Sequence, residues 1–241
     1  MTVLEFGGRR RDPDVRWLYD MRDVLYDQKW AASAENVELY YMYRDLYLSN
    51  ADRDRLIDLG IRYDITIIPP RMLGCEYVKT VGHFHPDVPG ESVSYPELYE
   101  VLEGEAHYLL QKRDLSDVAI FVASPGDKVL IPPNYGHITI NASNKRLKMA
   151  NFVARDFSSL YGSIGKMAGG AYYYTKDGFI KNERYSNAPP LRITKAPGND
   201  LLKRLGLSKS REMYPNLRIE GSFAYLTSPE EHLEVFEGMI E

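Results

Sequence analysis

Residues 96–112 read PELYEVLEGEAHYLLQK and carry the pattern that decides the fold. Two short runs of aliphatic and aromatic residues, 98–102 and 106–112, are separated by Glu103-Gly104, where glycine allows a tight bend. Runs of this kind, broken about every 8 to 12 residues, are typical of a β-sandwich or barrel. The same texture continues on both sides and predicts strands at 62–68, 78–85, 98–102, 106–112, 118–123, 128–131, 137–141 and 147–153. Such a set is compatible with a double-sheet jelly roll.

Composition narrows the class of protein. The chain has 241 residues, of which 44% are hydrophobic and 27% charged, as in ordinary soluble globular proteins. Thirty Lys and Arg against 34 Asp and Glu give a formal net charge of -4, so we expect neither a nucleic-acid nor a membrane partner. The single Cys75 cannot form an internal disulfide, and residues 1–17 lack the apolar core of a signal peptide. We therefore expect a cytoplasmic protein.

The residue pattern before and after the predicted strands differs from that of the strands, which predicts a chain of three regions. Residues 1–60 are interpreted as an N-terminal arm with a Tyr-rich strand at 39–48 and a short helix over 50–60, with Ser49 or Asn50 as its cap and Gly60 at its end. Residues 61–198 form the predicted catalytic domain, with a flanking helix at 157–167 and a hairpin at 171–181.

The third part, residues 199–241, is predicted to be a helical C-terminal extension. Its first helix is expected at 200–205, before Gly206. The second is expected at 229–240, because Ser228, Pro229 and Glu231 form the pattern of a capping box.

Three of the five histidines fall in two short segments of the strand-rich region. His83 and His85 are two residues apart, so on a strand both side chains leave the same face. Glu97 enters the next strand, and His137 opens a later one. Three imidazoles and one carboxylate suit a divalent ion such as Fe, Mn, Ni or Zn. An isolated His-x-His pair is more often two ordinary strand residues, so the surrounding spacing has to decide between the two interpretations.

That spacing resembles the two signature motifs of the cupins, which are metal-binding jelly rolls. Glu97 is followed by six residues and then Gly104. Gly126 is followed by five residues and Pro132, then by His137 and, after three more residues, Asn141. The resemblance implies a cupin double-stranded β-helix, with Asn134 standing where the second motif has its central glycine.

Longer segments are similar to the cupin-type glucose-6-phosphate isomerases, known mainly from archaea. They are Asp20-Met-Arg-Asp-Val-Leu-Tyr-Asp27, Tyr41-Met-Tyr-Arg-Asp45, Arg62-Tyr-Asp-Ile-Thr66-Ile-Ile-Pro-Pro, Glu76-Tyr-Val-Lys-Thr80-Val-Gly-His-Phe-His85 and Pro96-Glu-Leu-Tyr-Glu-Val-Leu-Glu-Gly104. The similarity covers about residues 14 to 185 and leaves out the tail from about 199. It implies an enzyme that interconverts glucose 6-phosphate and fructose 6-phosphate, an aldose–ketose isomerisation of glycolysis and gluconeogenesis.

Residue roles follow from the same resemblance. It implies one divalent ion per subunit, Fe²⁺ in the first place and Mn²⁺, Ni²⁺ or Zn²⁺ as alternatives, held by His83, His85, Glu97 and His137. It also implies a phosphate site of Thr66, Thr80, Gly82 and Tyr99, and Glu97, Tyr99 and Tyr161 as catalytic residues. Hydroxyl groups and the open backbone of a glycine are hydrogen-bond donors of the kind that a phosphate needs. The chain lacks the histidine that the family commonly has just before Tyr161.

Other interpretations stay open at this point. Three histidines and one glutamate do not fix the reaction, so another metallocupin, an oxygenase or a sugar epimerase, is an alternative. A third interpretation is a sugar-phosphate-binding cupin without turnover.

The carbonyl could move by proton transfer through an enediol or by a hydride shift, and mannose 6-phosphate is a conceivable second substrate. A homodimer is expected by analogy, with the N-terminal arm at the interface. Lys79 is predicted to be a solvated surface charge.

Overall fold

The computed structural model describes residues 3–195 and 199–237 and is mainly β. Its strands are β1 (Leu4–Phe6), β2 (Arg9–Arg11), β3 (Asp14–Trp17), β4 (Glu38–Tyr43), β5 (Ile61–Ile68), β6 (Met72–Leu73), β7 (Glu76–Tyr77), β8 (Glu97–Glu103), β9 (Ala106–Lys112), β10 (Val118–Ala123), β11 (Lys128–Ile131), β12 (Tyr135–Ile140), β13 (Leu147–Ala154), β14 (Tyr172–Thr175), β15 (Gly178–Lys181) and β16 (Arg192–Lys195). Its α-helices are α1 (Gln28–Ser33), α2 (Asn50–Asp58), α3 (Gly162–Lys166) and α4 (Asn199–Arg204). Short 3-10 helices span Leu18–Asp20, Arg22–Val24, Tyr214–Arg218, Ala224–Leu226, Pro229–Glu231 and Leu233–Phe236.

Two main sheets enclose the core. The larger has six strands in the order β11-β8-β13-β5-β4-β3, and the smaller has four in the order β12-β9-β10-β16. All neighbours within these sheets are antiparallel except β10 and β16. The predicted mainly β cupin jelly roll is confirmed.

Both faces of the larger sheet are covered, and strand β5 shows how the sequence achieves this. Side chains alternate along a strand, so Tyr63 and Ile65 point to the outer face while Asp64 and Thr66 point inward. The inner face therefore carries the polar groups that line a cavity. The outer face is apolar and has to be covered by another part of the chain.

The C-terminal segment covers it. Leu201, Leu217 and Phe223 pack in one buried cluster with Leu98 and Phe152 of the larger sheet. Lys128 and Glu100, both almost completely buried, hydrogen-bond the C-terminal segment to the larger sheet. Lys128 Nζ donates to the carbonyl oxygens of Ser208 and Arg211, and Glu100 accepts from the Met213 N–H.

The residues predicted as an N-terminal arm contribute to the same sheet. Strand β3 pairs with β4, and β4 pairs with β5 of the same chain. Helix α2 begins after Ser49, whose hydroxyl accepts from the Asp52 N–H, as the capping pattern predicted. The division at residues 60 and 198, the dimer and the interfacial role of the arm stay predictions.

One predicted strand is interrupted. Residues 78–85 are not a continuous strand, because Gly82 adopts a φ of 83°, outside the extended region. Single bridges remain instead, between Lys79 and Ile140, between His83 and His137, and between Phe84 and Leu160. The prediction for Lys79 was also wrong, since its side chain is buried and its Nζ bonds to Glu76 and to the Val24 carbonyl.

Two predicted helices are shorter than expected. Of residues 157–167 only Gly162–Lys166 is helical, because Leu160 instead forms a backbone bridge with Phe84. Residues 229–237 form two 3-10 turns separated at His232, and Ser228 makes no side-chain cap. Packing of Val235 and Phe236 against the C-terminal cluster overrides the local signal. The remainder of that predicted helix, 238–240, lies outside the described residues. The hairpin at 171–181 is confirmed as β14 and β15.

Candidate metal centre

His83, His85, Glu97 and His137 come together at one point of the cavity. Glu97 is the first residue of β8 and His137 lies on β12, while the His83–His137 bridge brings the His-x-His segment alongside. The four potential ligand atoms all lie within 4.8 Å of one another. Glu97 Oε2 is 3.4 Å from His85 Nε2 and 3.2 Å from His137 Nε2. Glu97, His85 and His137 are buried, and His83 is partly exposed.

Neighbouring groups fix the orientation of two rings. His85 Nδ1 lies 2.9 Å from the Tyr95 carbonyl oxygen, which can only accept a hydrogen bond. Nδ1 therefore carries the proton, and Nε2 presents its lone pair to the cluster. Phe157 packs against the same ring with the centroids 4.6 Å apart. The Tyr99 hydroxyl lies 3.2 Å from His137 Nε2.

The electrostatics favour neutral imidazoles at His83 and His85. Burial lowers the pKa of His83 well below its ordinary value and that of His85 to about 4, with nearby His137 acting in the same direction. Burial acts to raise the pKa of Glu97, but its interactions with the neighbouring His137 and His85 lower it overall. Neutral imidazoles beside an ionised carboxylate are the protonation states that bind a divalent ion.

The geometry fits a single metal ion. Bonds from imidazole nitrogen or carboxylate oxygen to such an ion are about 2.0–2.2 Å long, so four ligand atoms around it lie within roughly twice that distance of each other. The four potential ligand atoms lie up to 4.8 Å apart, so they would have to move only slightly closer together to bind one ion. Glu97 Oε2 is buried and has no hydrogen-bond partner among the described residues. A buried carboxylate oxygen of this kind is suited to bind a cation.

The cluster forms one wall of a pocket on the inner face of the larger sheet. The pocket is also lined by all of the residues predicted for phosphate binding and catalysis: Thr66, Thr80, Gly82, Tyr99 and Tyr161. Tyr161 is 40% exposed, with its ring centroid 5.4 Å from that of His83.

The two residues nearest the His-x-His segment have defined local geometry. Thr80 Oγ1 accepts from the Thr139 N–H over 3.0 Å, so its own hydroxyl proton is free to donate into the pocket. A Cβ on Gly82 would overlap with the Ile138 side chain, so only glycine fits there. Gly82 itself is part of the pocket lining.

Sequence reasoning missed a second polar group in the pocket. Arg44, Arg62, Asp64 and Asn151 also line it. Arg62 Nε donates to Asp64 Oδ2 over 2.9 Å, and burial raises the pKa of Asp64 although Arg62 partly offsets this. Arg62, Asp64 and Thr66 follow one another at every second position, a spacing that puts all three side chains on the same face of β5. Asn151 had no comparable signal, because its place depends on the pairing of β13 with its neighbours.

The jelly roll and its cluster of three histidines and one glutamate define this protein as a cupin with a candidate metal centre. Residues 15–190 match the model of the glucose-6-phosphate isomerase (GPI) family, which covers more than half of the chain. The chain belongs to this family.

Individual relatives are distant. The chain is 25% identical over 155 residues to a glucose-6-phosphate isomerase of Thermococcus litoralis, covering 63% of this chain and 75% of that protein. It is 24% identical over 177 residues to the Pyrococcus horikoshii protein of the same name, covering 72% and 88%. Among solved structures it is similar to an oxalate oxidase with 14% identity and a TM-score of 0.39, covering 74% of this chain and 70% of that one. No helix in residues 3–195 or 199–237 is long and apolar enough to cross a membrane.

Proposed function

We propose that this protein is a metal-dependent isomerase that interconverts glucose 6-phosphate and fructose 6-phosphate. The observation that carries the proposal is the convergence of His83, His85, Glu97 and His137 in a pocket that also presents Thr66 and Thr80. The ligand set by itself does not fix the reaction. Phosphate-type donors beside the ligands, in a chain of this family, favour the sugar phosphate.

Different residues along the pocket would bind the two ends of the substrate. Thr66, Thr80 and the backbone at Gly82 would bind the phosphate. The Tyr99 hydroxyl, which the sequence also predicted for phosphate binding, instead lies 3.2 Å from His137 Nε2 of the ligand cluster. Successive inward side chains on a strand are about 6.6 Å apart, so the rows of Thr66 and of Glu97 can hold opposite ends of a six-carbon chain. The ligand cluster would thus face the C1–C2 end of the sugar.

When bound by the four ligands, a divalent ion supplies Lewis acidity toward the oxygen atoms on C1 and C2. Glu97 is the carboxylate placed to accept the proton from C2 of glucose 6-phosphate and return it to C1 on the same face. Tyr99 would exchange protons with the sugar oxygens, and Tyr161 would close the open side of the pocket.

A coupled assay for conversion of fructose 6-phosphate tests the proposal. We expect no turnover after chelation and recovery with at least one of Fe²⁺, Mn²⁺, Ni²⁺ or Zn²⁺. Failure of all four ions to give activity rejects the isomerase. Mannose 6-phosphate in the same assay tests the second substrate.

Deuterium at C2 of glucose 6-phosphate distinguishes the two chemical routes. Transfer through a carboxylate base releases part of the label into water, whereas a hydride shift keeps it on C1. We expect release, because Glu97 reaches the cavity from which the proton departs.

A further inference from the structure

Asn151 lies at the centre of a cross-strand row on the inner face of the larger sheet. Strand β13 runs between β5 and β8, and the register places Asn151 opposite Asp64 on one side and Tyr99 on the other. All three side chains line the pocket. The row is therefore a continuous strip of polar groups across the cavity wall.

The amide of Asn151 differs from its neighbours in having no partner. Asp64 accepts from the Asp45 N–H and from Arg62, and the Tyr99 hydroxyl lies beside His137. Asn151 is only 4% exposed, and its side chain makes no hydrogen bond within residues 3–195 and 199–237. Its amide is nevertheless not sealed off, because it lines the pocket and is reached from there. An amide without a protein partner that faces a cavity is available to pair with a ligand group.

The position of Asn151 defines which group that is. The row beyond it on one side contains Glu97 and Val153, next to the ligand cluster, and the row on the other side contains Thr66 and Met149. Asn151 thus faces the middle of the pocket, between the two polar ends. Its amide offers both a donor and an acceptor, so both of its groups can pair with alcohol hydroxyls, whereas a phosphate dianion would leave the amide oxygen without a donor.

We propose that Asn151 is a specificity-determining residue that hydrogen-bonds the secondary hydroxyls in the middle of the sugar phosphate, at C3 and C4. The proposal rests on the proposed function for the identity of the sugar. It adds that the stereochemistry of the carbon chain is recognised by β13, away from the metal ligands and from the phosphate donors.

The test compares the wild type with Asn151→Leu, which has nearly the same shape and no polar atoms. The probe is glucitol 6-phosphate, an open-chain analogue that cannot be isomerised, titrated calorimetrically into the metal-loaded protein. We expect its affinity to fall about 10-fold, as for loss of a buried hydrogen-bonding group, while the affinity for inorganic phosphate stays unchanged. The melting temperature should not fall, because the variant removes an unpaired amide. Asn151→Ser, whose hydroxyl ends one bond closer to the backbone, should weaken glucitol 6-phosphate binding as well and serves if the leucine variant does not fold.

Turnover supplies the second readout. The variant should lose much of the preference for glucose 6-phosphate over its C3 and C4 epimers, allose 6-phosphate and galactose 6-phosphate. Lys148→Gln, on the same strand but facing outward, should change neither readout. If Asn151→Leu binds glucitol 6-phosphate as tightly as the wild type does, the proposed role of Asn151 is wrong. The role is also wrong if the wild type does not bind glucitol 6-phosphate at all. A wild type that binds the probe through Asn151 but converts no sugar phosphate rejects the isomerase alone.

Discussion

The Nε2 atoms of His83 and His85 lie 3.2 Å apart, within hydrogen-bond distance. Because the Tyr95 carbonyl fixes the proton of His85 on Nδ1, the Nε2 of His85 has only a lone pair to offer. That lone pair can accept a hydrogen bond from His83 or bind a cation that the two rings share. In the proposed metal site the same ion would also bind Glu97 and His137, which lie on two separate strands, so ion binding should stabilise the fold.

Metal binding should therefore raise the melting temperature. An ion present at 100 times its dissociation constant stabilises the native state by about 2.7 kcal/mol. For a chain of this size we expect a rise of roughly 5 to 10 °C, measured by scanning calorimetry before and after loading a chelated sample. His85→Gln should abolish most of the rise, while His107→Gln, outside the cluster, should retain it. An equal loss in both variants would show that the rise does not come from this site.

The contact between Lys128 and Glu100 should contribute strongly to stability. The two charges are 3.0 Å apart beneath the C-terminal segment, with side chains 1% and 3% exposed. Lys128→Met leaves the buried Glu100 carboxylate without its positively charged partner and removes the donor to three carbonyl oxygens. We expect a loss of about 3–5 kcal/mol in the free energy of unfolding, measured with urea.

Two further variants identify the cause of that loss. Lys148→Met, at a partly exposed position, should stay within about 0.5 kcal/mol of the wild type. The double variant Lys128→Met, Glu100→Gln should recover part of the stability, because no unpaired charge remains. A single variant as stable as the wild type would show that the carboxylate is solvated and that the C-terminal segment is held by its apolar contacts alone.

The ligand set was predictable because its signals are local. His83 and His85 are neighbours in sequence, and Glu97, Gly104, Gly126 and His137 follow fixed spacings. The strands at 106–112, 118–123 and 128–131 were predicted with the bounds that the structure has, since each is a short β-rich run closed by turn residues. The roles of the ligands stay predictions until an ion is measured.

What the sequence did not reveal depends on contacts between distant segments. Asn151 faces the pocket only through the register of β13 with β5 and β8, which no local pattern specifies. Lys79 looks like a surface charge until Glu76 and the Val24 carbonyl are found around it. The capping pattern at Ser228 predicted an α-helix, but the packing of Phe236 favours two separate turns.

His107 should make stability depend on pH. Burial lowers its pKa below the ordinary value of 6.5, and its Nδ1 is buried without a partner in the described part of the chain. The unfolded chain therefore binds a proton more readily than the native state as the pH falls below about 6.5, and stability decreases down to the lowered pKa. Each unit of lowering corresponds to about 1.4 kcal/mol.

The measurement is a series of urea unfolding curves between neutral and mildly acidic pH, with His107→Gln as the comparison. The variant should show a shallower loss of stability on acidification, because it has no proton to bind at that position. His232→Gln is the matched control, since that side chain is partly exposed near the end of the described chain. Identical slopes for the wild type and His107→Gln would mean that the native ring titrates like a free histidine.

Thr80→Val should weaken substrate binding more than turnover. In the proposed function the Thr80 hydroxyl binds the phosphate, away from the carbons that react, so its contact would be the same in the ground state and the transition state. We expect the KM for fructose 6-phosphate to rise about 10-fold with kcat changed less than about threefold. Thr80→Ser keeps the hydroxyl that also accepts from the Thr139 N–H and should restore KM. An unchanged KM in the valine variant would remove Thr80 from the phosphate site.

Glu97→Gln separates the two roles that Glu97 holds in the proposed mechanism. Glutamine keeps the shape and a carbonyl oxygen that can still ligate an ion, but it cannot accept a proton from carbon. If Glu97 is the base, kcat should fall by about 10²- to 10⁴-fold while the affinity for glucitol 6-phosphate changes little in metal-loaded protein. Release of deuterium from C2 should stop together with turnover. Parallel losses of metal content, binding and turnover would instead make Glu97 a ligand only, and the proton would then have to pass through another group at the C1–C2 end, where Tyr99 is the nearest candidate on the same strand.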